Sequence, residues 1–262
     1  MRVILMGRKP AAAEGLRYLI DKGIEVVVVV APPKDVVPHW SPRLVDVAEQ
    51  YGVPTASDAD LYAQLRGDVS HPDYCLEDID LVISLMHRYR IKKPLIELPR
   101  IACVNFHPAP LPEYRGYVGY NLGIYENVTL WAISAHHVDE TFDTGDIIKI
   151  LRFDVNGRRE TAFTLEQKSQ GYVIELLKDV IEMALENRSL PREPQGKARY
   201  FSQKDFEALR KIKPTDTLDE IERKIRAFWY PPYGGAAIEI AGQEFTLVSD
   251  AVLAEIGREY HQ

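Results

Sequence analysis

Residues 1–30 read MRVILMGRKPAAAEGLRYLIDKGIEVVVVV, and their pattern decides the fold class. Arg2 to Met6 is a short apolar run, Ala11 to Lys22 has helical character, and Glu25 to Val30 is a glutamate followed only by valines. A strand with one wet face alternates apolar and polar residues, whereas a strand covered on both faces reads as a continuous β-branched run. The valines are therefore expected inside a parallel sheet. Further strands are expected at Asp80 to Ser84, Ile101 to Asn105, Leu130 to His137 and Ile147 to Phe153. Thr164-Leu165-Glu166-Gln167 has the form of a capping box opening a long helix, with Leu165, Val173, Leu176, Leu177, Val180 and Ala184 along its apolar stripe. Strands alternating with helices give a doubly wound α/β pattern.

The chain has 262 residues, 46% hydrophobic and 27% charged, enough for a substantial core. A net charge of −7 argues against a non-specific polyanion binder. Cys75 and Cys103 suggest no disulfide framework and fit a reducing cytoplasm. Met1 to Gly7 is too short for a signal-peptide core, and no apolar run approaches a membrane span. A dinucleotide fingerprint is missing: Gly7-Arg8-Lys9-Pro10 has one glycine where G-x-G-x-x-G needs three, and the second strand ends in Ala31-Pro32-Pro33-Lys34, not an acidic ribose ligand. No histidine, cysteine or carboxylate cluster has metal spacing, so no metal is expected.

The chemistry lies in residues 101–146, IACVNFHPAPLPEYRGYVGYNLGIYENVTLWAISAHHVDETFDTGD. An apolar run ends in Asn105-Phe106-His107-Pro108. Strand side chains alternate, so Asn105 and His107 point together, and Pro108, Pro110 and Pro112 stop the ladder just beyond them. The pair thus sits at a strand's carboxyl end, where open parallel sheets bind ligands. Asp143 follows in an acidic turn. An amide, an imidazole and a carboxylate can hold a carbonyl, stabilise its oxyanion and move a proton without a metal or a covalent nucleophile. Cys103 shares their strand face, but its place within an apolar strand makes it a core residue.

This stretch resembles the folate-dependent formyltransferases, which move a formyl group from N10-formyltetrahydrofolate to an amine. The resemblance rests on Asn105-Phe106-His107-Pro108, Leu111-Pro112-Glu113-Tyr114-Arg115-Gly116, His136 and the loop Asp139 to Gly145. It implies a Rossmann-like, mostly parallel sheet and a catalytic trio of Asn105, His107 and Asp143. It also implies a pterin site using backbone groups near Tyr89 and Ile91, apolar contact from Met86 and Ile91, support from His136, and an acidic wall of Asp139 and Glu140. Apart from the resemblance, Met86 and Ile91 are ordinary core residues. His137, on the opposite strand face from His136, is expected to be structural. The division of proton transfer among His107, Asp143 and a bound water is left open by the residues.

Arg188 to Asp205 breaks the periodicity with prolines, glycine and charge. Residues 1–190 are accordingly expected as the catalytic domain, 191–205 as a linker and 206–262 as a small α+β appendage. In the last, Thr217-Leu218-Asp219-Glu220 caps a helix ended by Pro231-Pro232, and Ala237 to Val248 alternates around Gly242 as a hairpin does. With Arg226 to Gly235, this short unit resembles the sugar N-formyltransferases. That implies a nucleotide-linked amino sugar as acceptor, a role in lipopolysaccharide biosynthesis and a cytoplasmic location. Arg8 and Lys9 are candidates for its pyrophosphate, with a solvated surface pair as the plainer reading. Tyr117, Tyr120, Asn121, Trp229 and Tyr230 are candidates for its sugar and base, against packing roles for the aromatics and a capping role for Asn121.

Two other functions stay open: formylation of initiator methionyl-tRNA, favoured by the mildly basic stretch from Lys197 to Arg226, and a catalytically silent folate or sugar-nucleotide binding module. Nucleic acid is otherwise not expected as a partner. The hairpin and aromatic cluster are the elements available to a homodimer.

Overall fold

The computed structural model describes residues 1–33, 41–117 and 119–259, with backbone alone for 255–259, so Lys34 lies outside the described residues. The chain forms β1 (Arg2–Gly7), α1 (Pro10–Asp21), β2 (Glu25–Val30), α2 (Leu44–Gln50), β3 (Thr55–Ala56), α3 (Asp58–Leu65), β4 (Leu81–Leu85) and β5 (Ala102–His107). There follow β6 (Arg115–Gly116), α4 (Gly119–Tyr125), β7 (Leu130–His137), β8 (Ile147–Asp154) and α5 (Ala162–Asn187). The last elements are β9 (Tyr200–Phe201), α6 (Gln203–Arg210), α7 (Leu218–Phe228), β10 (Ala237–Ile240), β11 (Gln243–Thr246) and α8 (Asp250–Glu259).

A seven-stranded sheet runs in the order β3-β2-β1-β4-β5-β7-β8. Pairings from β3 through β5 are parallel, and β7 joins β5 antiparallel. The mostly parallel Rossmann-like sheet expected from the valine run is thus present, with Val26 to Val30 buried. Strand order reverses between β1 and β4, a switch point of the kind at whose carboxyl ends open α/β sheets bind ligands. Gly7 closes β1 there because a Cβ would sit 2.5 Å from the Ala12 Cβ and 2.9 Å from the Leu85 carbonyl oxygen.

One face of the sheet packs Ile4, Met6, Val28, Val82 and Cys103 against Leu61 of α3 and against Ile91 and Leu95. On α1, a Cβ at Gly15 would meet Leu85 of β4 and Leu177 of α5.

Several boundaries differ from the sequence-based expectation. β5 extends to His107, because antiparallel β7 pairs His107 with Ser134 after the parallel partner β4 has ended. Helix α5 opens before Thr164: the Thr161 hydroxyl accepts the Thr164 N–H at 3.1 Å and the Thr164 hydroxyl accepts the Thr161 N–H at 2.9 Å. The expected box of Thr164 with Gln167 is therefore not what opens the helix, and Glu166 is buried in the first turns. The expected linker contains β9 and the start of α6, whose Ser202 and Asp205 form a capping box. The box at Thr217 and Glu220 forms as expected. So does the hairpin, where Ala241 and Gly242 adopt φ of 53° and 78° in a two-residue turn.

The chain divides into two compact units: residues 1–112, 133–151 and 170–197, and residues 113–132, 152–169 and 198–262. This interleaving cuts across the expected division at 190 and 205. Its physical reason lies inside the second unit, where β6 pairs with β9 and the Asn121 amide of α4 donates to the Ala227 carbonyl of α7 at 2.7 Å. Among the described residues, no helix is long and apolar enough to cross a membrane.

Candidate active site

In the first unit, sheet register brings three polar side chains abreast. Asn105 of β5 is the partner of Ser84 on β4 and of His136 on β7. Side chains in register on adjacent strands share a face. The Ser84 hydroxyl donates to Asn105 Oδ1 at 2.7 Å, and Asn105 Nδ2 lies 3.1 Å from His136 Nε2. His136 Nδ1 lies 2.8 Å from the His137 carbonyl oxygen. A carbonyl only accepts, so Nδ1 carries a proton and Nε2 is the ring nitrogen that faces the Asn105 amide.

Asp143 approaches from the loop after β7, with Oδ1 3.5 Å from His107 Nδ1 and 3.7 Å from His136 Nε2. The three charged or imidazole groups are nearly buried, at 12% exposure for Asp143, 9% for His107 and 3% for His136. Both separations exceed the ordinary hydrogen-bond length. Asp143 adopts φ of 57°, a left-handed conformation uncommon outside glycine. The loop returns tightly to the strand, since a Cβ at Gly145 would sit 1.8 Å from the His137 carbonyl oxygen.

The turn after His107 is fixed by a residue not singled out in the sequence. The fully buried Ser134 hydroxyl donates to the Ala109 carbonyl at 2.8 Å and accepts the Leu111 N–H at 3.0 Å. Only the antiparallel register of β7 reveals it.

The residues expected around the donor are dispersed along the same unit. Met86 is buried with φ of 55°, and its carbonyl accepts Arg8 Nε at 3.0 Å across the β1–β4 switch point. Ile91 is buried in the core, while Tyr89 is exposed. His87, also not singled out in the sequence, anchors this segment by a 2.8 Å contact with Asp58 of α3. The Asp139 carboxylate accepts the Thr141 N–H at 2.9 Å and the Thr144 hydroxyl at 2.8 Å, so it shapes its own loop. A cavity of about 450 Å³ is lined by Lys93, Ile96, Val138, Asp139, Glu140 and Thr141. Lys9 is buried beside Arg8, which overturns the solvated-pair reading for the lysine.

Two neighbours behave as expected. Burial pushes the Cys103 thiol up to about 12, leaving no thiolate to act as a nucleophile. His137 contacts the Pro191 carbonyl at 2.9 Å, and burial holds its imidazole below the ordinary histidine value despite that bond.

Residues 1–181 match the sequence model of the formyl transferase family. The chain belongs to the formyl transferase family. A methionyl-tRNA formyltransferase of Bacillus cereus is 26% identical over 247 residues, covering 93% of this chain and 76% of the relative. Among solved structures, the sugar 3N-formyl transferase WlaRD, described in the presence of dTDP and 5-N-formyl-THF, superposes with a TM-score of 0.74 at 23% identity. That likeness covers 94% of this chain and 85% of WlaRD. A 4-N formyltransferase from Francisella tularensis superposes with a TM-score of 0.74 at 20% identity, covering 95% of this chain and 96% of the other.

The second unit of this formyl transferase holds the remaining candidate residues. Asn121 is engaged with Ala227 in the last turn of α7, the capping role weighed for it. Tyr120 lies against Trp131 with its hydroxyl buried, and burial, then the charge of Glu166, pushes its phenol well up. Tyr230 stands edge-on to Phe163, and burial together with a hydrogen bond to Glu166 drives its phenol far above the ordinary range. The Trp229 carbonyl accepts the Phe163 N–H at 3.2 Å, and exposed Tyr117 meets Phe206 edge-on. Glu166 joins this cluster only through tertiary packing and carries no local signal of it in the sequence.

Proposed function

We propose that the protein transfers the formyl group of N10-formyltetrahydrofolate to the amine of a nucleotide-linked amino sugar, with Asn105, His107 and Asp143 as its catalytic residues. The observation that carries the reading is the convergence of these side chains at the carboxyl end of β5, with 3.5 Å between the Asp143 carboxylate and the His107 imidazole.

The amine nitrogen attacks the formyl carbon, forming a C–N bond and placing negative charge on the formyl oxygen. Asn105 Nδ2–H and the His107 ring N–H donate to that oxyanion. Collapse breaks the bond from carbon to N10, which takes up a proton as the product amide nitrogen loses one. Asp143 orients the His107 ring and shares this proton traffic with it. The segment Met86 to Ile91 and the loop Asp139 to Glu140, beside His136, supply the pterin contacts. Arg8 and Lys9 are the residues assigned to the acceptor's pyrophosphate. No metal is assigned a step. The reading places the enzyme in the cytoplasm, on a route to lipopolysaccharide sugars.

The amino-sugar acceptor is supported by the mutual coverage with the sugar 3N-formyl transferase WlaRD, 94% of this chain and 85% of that one. A second reading, formylation of methionyl-tRNA, is favoured by the 26% identity to the Bacillus cereus enzyme. The deciding experiment incubates the protein with N10-formyltetrahydrofolate and either 3-amino or 4-amino sugars linked to nucleoside diphosphates, or initiator methionyl-tRNA. The expected result is a mass gain of one formyl group on a sugar nucleotide. Formylation of the tRNA alone would transfer the protein to the second reading, and no transfer to any acceptor would leave a binding module.

A further inference from the structure

We propose that Ser84 is a positioning residue that, together with His136, fixes the orientation of the Asn105 amide and reserves one of its N–H groups for the reacting oxygen. This rests on the reading of Asn105 as a catalytic donor.

An asparagine amide presents an acceptor edge and a donor edge of almost identical shape, so a half-turn about its last torsion converts an oxyanion donor into an oxyanion repeller. The environment must choose. At Asn105 the choice is made from both sides by sheet register. The β4 partner supplies a hydroxyl to Oδ1 at 2.7 Å, and the β7 partner supplies a ring nitrogen 3.1 Å from Nδ2. His136 can accept because its Nδ1 proton is committed to the His137 carbonyl at 2.8 Å. The result is a directed chain from the Ser84 hydroxyl through Asn105 and His136 to a backbone oxygen.

Bond capacity completes the argument. Asn105 Nδ2 has two hydrogens and gives one to His136, while Oδ1 is engaged by Ser84. One N–H is left for substrate, on a residue that is half-buried although Ser84 and His136 are buried. A preorganised donor stabilises a transition state without reorganising at the moment of reaction. A valine or alanine at position 84 would complete the apolar run of β4 equally well, so the hydroxyl is not explained by packing.

The test compares Ser84→Ala, Ser84→Thr, Asn105→Ala and the double variant Ser84→Ala/Asn105→Ala, using N10-formyltetrahydrofolate and the acceptor found in the screen. Ser84→Ala is expected to lower kcat about tenfold, the scale of one lost hydrogen bond acting in the transition state, with KM for the donor within about twofold. Ser84→Thr should restore most of the rate, and the double variant should be no slower than Asn105→Ala. A normal kcat in Ser84→Ala, no recovery in Ser84→Thr, or additive losses in the double variant would overturn the proposal.

A second readout needs no acceptor. The Asn105 side-chain NH₂ pair in an ¹⁵N–¹H spectrum, assigned by its loss in Asn105→Asp, should shift in Ser84→Ala and return in Ser84→Thr. An unmoved pair overturns the positioning role even if the protein transfers no formyl group. A shifted pair with full turnover in Asn105→Ala would instead remove Asn105 from catalysis.

Discussion

The two ends of β4 carry polar clusters of opposite character. At the amino end, Asp80 accepts the Arg2 N–H at 2.8 Å, Arg100 at 2.9 and 3.2 Å, and Arg188 at 2.8 Å. Burial acts to raise its pKa, but these donors outweigh it and hold the carboxyl below the ordinary aspartate value. At the carboxyl end, Asp143 is similarly enclosed, yet its contacts with His107 and His136 are 3.5 and 3.7 Å. The first cluster has short bonds to permanent cations and serves stability. The second has longer contacts, from one carboxylate to two imidazoles.

The largest effects should come from the carboxyl end and touch rate alone. Asn105→Ala, His107→Ala and Asp143→Asn should each lower kcat/KM by about 10²–10³-fold, the scale of losing an oxyanion donor. Their melting temperatures should stay near that of the wild type, and near-normal turnover in any one would remove that residue from the mechanism. Gly145→Ala should affect both properties, since its methyl meets a backbone carbonyl that cannot move cheaply; about 1–3 kcal/mol of overpacking and a parallel fall in kcat are expected. Denaturant melts and kinetics on one preparation would check it.

Asp80→Asn should break the other side of the comparison, costing about 1.5–3 kcal/mol in urea unfolding while kcat is preserved. The wild-type contribution of Asp80 is present above the unfolded carboxylate pKa, about 3.9, and is lost as pH falls through its lower folded value. A large loss of kcat in Asp80→Asn would mean that the two ends of β4 are coupled. The smallest effect concerns His137. Its folded pKa is depressed, so below about 6.5 the unfolded chain binds a proton that the folded chain resists, and stability falls with pH from there. His137→Gln should flatten melting temperature between pH 7 and pH 5; an unchanged slope would assign the acid sensitivity elsewhere.

The two clusters were not equally legible before folding. Asn105 and His107 could be paired by strand alternation, and Asp143 was implied by family resemblance. Ser84 and Ser134 sit in apolar runs with no local mark, and only neighbouring strands show what they bond. Thr164 and Gln167 carry a misleading local signal, because they resemble a capping box until Thr161 takes the cap role one turn earlier. Asp80 and Arg188 are 108 positions apart and meet through the fold, not through any pattern in the chain.

What the residues determined unaided was the alternation of strand and helix, the valine-rich sheet interior, the hairpin at Gly242 and the pairing of Asn105 with His107 on one strand face, all set by short-range periodicity and turn chemistry. Register, the interleaving of two compact units and the orientation of the Asn105 amide were decided only on folding. Each depends on which strand or helix becomes a neighbour, and that follows from packing between distant segments, not from local conformational preference.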